Sequence, residues 1–116
     1  MNTPDALTYT TLVPEGVEHH NWVTGRIGLW LPLYWPGRQA KHIKFPVLFG
    51  LCKKDSVAPF KQSLGYAKQA PKGVIKEYEC GHFDIYTGKD FDIAVKDYVE
   101  FLQSTVPIQD ARESKL

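Results

Sequence analysis

An aspartate and a histidine are the two side chains of this sequence best placed to do chemistry. Asp55 comes three residues after the apolar run Pro46-Val-Leu-Phe-Gly-Leu-Cys52. His82 comes two residues after a second run, Val74-Ile-Lys-Glu-Tyr-Glu-Cys80. A carboxylate that accepts from one imidazole nitrogen fixes the ring tautomer and leaves the other nitrogen free to act as a base. Taken singly, Asp55 reads as a turn or helix-capping carboxylate, because Asp-Ser before a helix invites that role. His82 alone reads as a loop histidine satisfied by backbone. Placement favours a joint role: open α/β sheets hold their ligands outside the carboxyl ends of the strands, and both residues sit there if the two runs are adjacent parallel strands.

Other constellations are weaker. Cys80 and His82 are two residues apart, but no further ligands with zinc spacing accompany them, so no metal site is expected. His19 and His20 read as exposed helix residues. Asp84 reads as a residue that orients the loop carrying His82. Cys52, inside the apolar run, reads as core rather than nucleophile.

The elements that must position Asp55 and His82 follow from patterning. The chain has 116 residues, enough for one domain at most. It is 43% hydrophobic and 23% charged, a composition that folds rather than stays disordered. A formal net charge of +1 excludes a broad nucleic-acid-binding surface as the default. Pro or charge interrupts every apolar stretch well short of a membrane span. Two cysteines make no disulfide framework, and no secretory apolar region follows Met1, so a reducing intracellular compartment is expected.

Residues 1–16 show no periodicity and read as irregular. Val23, Ile27 and Trp30, widened by Trp22 and Leu31, predict a helix over Val17–Leu31, closed by Pro32 and Pro36. Trp22, Trp30, Tyr34 and Trp35 form an aromatic cluster expected to pack in the core, although lids over apolar substrates use the same residues. Arg38, Lys41, His42 and Lys44 read as solvated side chains on a short helical turn or loop. The unbroken run up to Cys52 predicts a strand buried on both faces of a parallel sheet. A helix over Pro59–Gln69, with Phe60, Leu64 and Ala67 on one face, leads to the second strand, Val74–Cys80. Phe91, Val95, Tyr98 and Leu102 then predict a final helix ended by Pro107. This strand–helix–strand–helix order implies a parallel pair with a right-handed crossover. Two parallel strands do not make a stable sheet, so the sequence calls for neighbouring strands that it does not contain.

The segment Pro46 to Pro59, followed by Gly81-His82-Phe83-Asp84-Ile85-Tyr86, resembles the end of an α/β-hydrolase. In that superfamily the acid of a Ser-His-Asp triad follows the penultimate strand in a D-x-x-x-P setting, matched by Asp55 and Pro59. The histidine follows the last strand in a G-H-F setting, matched by Gly81 and His82, and a C-terminal helix then packs on the sheet. The resemblance covers residues 38–105. It implies an α/β fold class: the C-terminal βαβα portion of an α/β-hydrolase over 38–107, preceded by a lid-like helical segment over 1–37 and followed by a tail over 108–116. It also implies hydrolysis of an ester, thioester or amide of a small-molecule acyl substrate through an acyl-enzyme, with no metal or organic cofactor. Acyl or polyketide transfer would use the same residues.

One part of the family pattern is missing. The nucleophile belongs in a G-x-S-x-G elbow well before the acid, yet none of Ser56, Ser63, Ser104 and Ser114 has that setting. The oxyanion loop is missing too, so the isolated chain is expected to be inert. The expectation is a C-terminal fragment of a serine hydrolase, or alternatively a non-catalytic truncated product. The sequence ends Ser114-Lys115-Leu116, the address read by the peroxisomal import receptor. This predicts peroxisomal rather than cytoplasmic localisation and suggests a likeness to the fungal peroxisomal branch of toxin and polyketide biosynthesis.

Overall fold

The computed structural model of the chain describes residues 12–17 and 24–107, together with Pro4. His19, His20, Trp22, Val23 and the tail residues Ser114, Lys115 and Leu116 lie outside the described residues.

Strand β1 occupies Val47–Cys52, where the sequence VLFGLC has no polar side chain to favour one face over the other. Helix α2 spans Phe60–Ala67. Pro59 stands just before it as the N-cap, and its carbonyl accepts the N–H groups of Gln62 and Ser63, both at 3.1 Å. Strand β2, Gly73–Tyr78, returns parallel to β1 with Val47 opposite Gly73 and Cys52 opposite Tyr78. The ladder runs on into the loops: Lys53 N–H donates to Tyr78 C=O (2.8 Å) and Lys54 N–H to Cys80 C=O (3.1 Å). Helix α3, Gly88–Thr105, closes the described chain and begins at Gly88, whose φ of +59° suits a residue without a Cβ.

The two longer helices cover opposite faces of the sheet. A Cβ on Gly73 would meet Ala67 and Ala70, which puts α2 and its C-terminal turn on the face of Val47, Phe49 and Leu51. A Cβ on Gly50 would come within 2.5 Å of the Tyr98 hydroxyl, which puts α3 on the face of Leu48, Gly50 and Cys52. Asp97 pins α3 to β2 by accepting from Lys76 Nζ (2.9 Å) and from the Tyr78 hydroxyl (3.1 Å). Tyr78 is buried, and burial followed by the Asp97 hydrogen bond pushes its hydroxyl well above the ordinary tyrosine range, so it stays a donor. Beside this clamp, Cys52, Tyr78, Cys80 and Ala94 form the core, with Ile85 and Tyr98 packed against them.

N-terminal to the sheet the structure departs from the sequence expectation. Of the helix predicted over Val17–Leu31, residues 18–23 lie outside the described residues; α1 spans Gly25–Trp30 and runs into a 3-10 turn, Leu31–Leu33. Val17 instead ends a turn, its N–H on Pro14 C=O (3.2 Å), because Gly16 turns the chain at a φ of +83°. Pro36 opens a second 3-10 turn, Pro36–His42, in the basic stretch read as a short helical turn or loop. This turn lies so close to α2 that a Cβ on Gly37 would overlap the Tyr66 ring. The aromatic cluster expected in the core is exposed: Trp30 by 66%, Tyr34 by 70% and Trp35 by 46%. Periodicity brings such side chains together without settling how far they are covered; the Arg38 guanidinium of the next turn lies 5.0 Å over the Trp35 ring. No helix among the described residues is long and apolar enough to cross a membrane.

Candidate active site

The turn after β1 gives Asp55 two separate sets of partners. Its Oδ1 accepts the backbone N–H groups of Val57 (2.8 Å) and Ala58 (2.7 Å), closing the turn toward α2. Its Oδ2 lies 2.8 Å from His82 Nδ1. Thus Asp55 does act as a turn-closing carboxylate and does meet His82, one oxygen for each. Burial pushes the carboxyl up, but the His82 hydrogen bond and the two backbone donors outweigh it and hold Asp55 below the usual carboxylate range. Asp55 is therefore an ionised, acceptor-only partner at neutral pH, which makes Nδ1 the donor and leaves Nε2 as the nitrogen available to act as a base. No described residue hydrogen-bonds Nε2.

The loop after β2 is held just as firmly. Asp84 Oδ2 accepts the Gly81 N–H at 2.8 Å, and a 3-10 turn over Asp84–Tyr86 follows. The Phe83 ring meets the imidazole edge-on, centroids 4.8 Å apart. Asp84 therefore fixes the backbone on one side of His82 while Asp55 fixes the ring.

Asp55 and His82 share a cavity of about 450 Å³ whose walls include Phe60 and Ser63 from α2 and Phe91, Val95 and Tyr98 from α3. The two helix stripes were readable as core faces. Their convergence on Asp55 and His82 was not, and only a glycine inside the apolar strand, Gly50 beneath Tyr98, hinted at it.

None of the described serines is engaged by His82. Ser63 lines the cavity without a hydrogen bond to the imidazole, Ser56 lies in the turn closed by Asp55, and Ser104 donates to Phe101 C=O (2.8 Å) on α3. Cys52 also lines the cavity. Burial, then the hydrogen bond that its own S–H makes with Cys80 Sγ (3.5 Å), pushes its thiol up to about 12, so it is not a nucleophile at neutral pH. Among the described residues, no group of three or more His, Cys, Asp or Glu side chains is arranged to hold a metal ion.

No family model matches the chain, and no solved structure matches it. The chain is similar to the quorum-quenching protein AidA of Acinetobacter baumannii (strain MDR-ZJ06), with 44% identity over 110 residues. The match takes in 94% of this chain and 36% of the relative, so the chain spans little more than a third of that protein's length.

Proposed function

We propose that this chain is the acid- and base-bearing part of an α/β-hydrolase-like serine hydrolase whose nucleophile lies outside it. The observation that carries this reading is the 2.8 Å contact between Asp55 Oδ2 and His82 Nδ1 beyond the carboxyl ends of two adjacent parallel strands. In the reaction, Nε2 of His82 takes the proton of a serine hydroxyl as the serine oxygen bonds to the carbonyl carbon of an ester, thioester or amide. Asp55 holds the ring and stabilises the imidazolium. His82 then returns the proton to the departing alcohol, thiol or amine as the carbonyl–leaving-group bond breaks, and water repeats the cycle on the acyl-enzyme. The apolar walls of Phe60, Phe91 and Val95 suit an acyl chain. Quorum quenching, the role in the relative's name, would follow here if the signal carried one of these bonds.

A serine-directed phosphonate tests the proposal. The chain alone is expected to remain unlabelled. A chimera of the A. baumannii relative, with its matched 110 residues replaced by this chain, is expected to label on a serine of the relative's portion and to lose labelling with His82→Gln. Labelling of Ser56, Ser63, Ser104 or Ser114, or a chimera indifferent to His82→Gln, would overturn the reading.

A further inference from the structure

Exposed apolar side chains gather in α1 and the 3-10 turn that follows it. Ile27, Trp30, Leu31, Leu33 and Tyr34 line a hollow of about 430 Å³ in which no charged residue takes part. None of them belongs to the cavity around Asp55 and His82. Leu31 is exposed by 65% and Leu33 by 73%. Single apolar side chains on a surface are ordinary, but a contiguous patch marks a surface that binds a partner or a membrane.

The charge around this patch has one sign. Between Glu18 and Asp55 the sequence holds six Lys and Arg residues and no Asp or Glu, whereas the remainder holds eight against thirteen. Arg26 sits beside Trp30 in a second, smaller hollow. The next turn, Pro36–His42, adds two more cations. Residues three apart eclipse in a 3-10 turn, so Arg38 and Lys41 share an exposed face while Ala40 is buried on another. Lys44 follows, also exposed. The Arg38 guanidinium over the Trp35 ring keeps cation and aromatic side chain together. Among the described residues no carboxylate pairs with Arg26, Arg38, Lys41 or Lys44.

We propose that α1 and the two 3-10 turns form a docking surface for an anionic lipid bilayer. With six residues α1 is far too short to cross the apolar layer, so it lies at the interface. Ile27, Leu31 and Leu33 enter the acyl region, and Trp30 and Tyr34 take the headgroup level that amphipathic rings prefer. Arg26, Arg38, Lys41 and Lys44 meet the anionic headgroups. Two other occupants fit less well. A single-stranded nucleic acid would use the cations and the rings but offers nothing to the three aliphatic side chains. The rest of a longer chain like the A. baumannii relative, of which the match takes in 36%, would bury them in an interface core depleted of charge, yet four cations of one sign border this patch. The proposal is independent of the hydrolase reading, and phosphonate labelling plays no part in its test.

Sedimentation with vesicles of phosphatidylcholine alone, and of phosphatidylcholine with about 30% phosphatidylserine, tests it on the chain and on the chimera. Both proteins are expected to bind the anionic vesicles about 10-fold or more tightly than the neutral ones and to dissociate in high salt. Leu31→Ser combined with Leu33→Ser is expected to weaken binding on the order of 100-fold. Arg38→Gln combined with Lys41→Gln and Lys44→Gln is expected to weaken it by a similar factor, on the order of 100-fold, through lost headgroup attraction. All five positions are exposed, so urea midpoints should match wild type and show that the variants fold. No binding to either vesicle, equal binding to both, or variants that bind like wild type would overturn the proposal. Binding by the chain but not by the chimera would overturn it too, because the patch would then belong to the rest of the protein. So would polyuridylate that competes with the anionic vesicles and binds the two-serine variant as well as wild type, the behaviour of a nucleic-acid surface.

Discussion

Replacing Asp55 with Asn and with Ala separates the two roles of its carboxylate. Asn keeps a carbonyl oxygen for the Val57 and Ala58 N–H groups but sets an amide NH2 against His82 Nδ1. Donor facing donor forces the imidazole out of its Nδ1–H tautomer. A hydrogen bond to a charged group contributes about 1.5–3 kcal/mol. The Asp55 side chain is 11% exposed and that of His82 29%, so screening is partial and the lower part of that range, about 1.5–2 kcal/mol, is expected for Asn. Ala also deletes the acceptor for the turn, a further loss of about 1 kcal/mol. Urea unfolding should therefore rank wild type above Asn and Asn above Ala, with unchanged denaturant slope. Nitrogen-15 spectra of His82 should show the proton leaving Nδ1 in the Asn variant. In the chimera, the same variant should cut serine labelling by about 10⁴-fold, the scale of a wrong-tautomer triad. Acid sensitivity follows with a definite sign. The folded carboxyl lies below its ordinary value, so the unfolded chain takes up the proton first. The stabilisation is complete above about pH 4 and is lost as pH falls through the lower, folded value. Asp55→Ala should flatten this acid limb. Equal stability of Asn and Ala, with Nδ1 still protonated in Asn, would refute the division of labour between the two oxygens.

With its thiol raised from 9.0 to about 12, Cys52 should alkylate with iodoacetamide at pH 8 roughly 10³-fold more slowly in the folded chain than in denaturant; equal rates would contradict its buried, protonated state. Gly50→Ala should cost about 1–3 kcal/mol by driving a methyl group into the Tyr98 hydroxyl, and Tyr98→Phe should recover part of that loss in urea unfolding; no recovery would mean that the hydroxyl is not the obstacle. Asp97→Ala removes the acceptor that Asp97 offers the buried Tyr78 hydroxyl and should lower the urea midpoint further than Lys76→Ala, which removes only an exposed ion pair; equal losses would mean that the hydroxyl is not held by Asp97.

Some of this arrangement was legible in the sequence because local pattern and topology agree. VLFGLC has no alternation, and β1 occupies those residues. Phe60, Leu64 and Ala67 between two apolar runs fit a crossover helix, and α2 lies there between parallel strands. Once the strands are adjacent and parallel, Asp55 and His82 follow them at the same edge, so their meeting needed no knowledge of side-chain detail. Elsewhere the signal was local and the outcome was not. Trp30, Tyr34 and Trp35 share a stretch of chain, but spacing says which side chains cluster and not whether another element covers them, and they are exposed. The Asp97 clamp on Lys76 and Tyr78 joins residues roughly twenty positions apart across a helix–sheet interface, a register that apolar periodicity alone does not set.

Turn closure and His orientation looked like rival roles for Asp55, and the structure makes one the condition for the other. The two backbone donors on Oδ1 lock the carboxylate rotamer, so Oδ2 is already aimed at His82 and no side-chain entropy remains to be lost when the imidazole engages. The Asp84 bond to Gly81 N–H does the same for the backbone that carries His82. All of these contacts lie within two loops joined by the Lys53–Tyr78 and Lys54–Cys80 backbone bonds, and none requires a third strand. The pair should therefore be assembled in the isolated chain. The His82 Nδ1–H resonance is expected at the same position in the isolated chain and in the chimera. A resonance present only in the chimera would show instead that the site is organised by its neighbours.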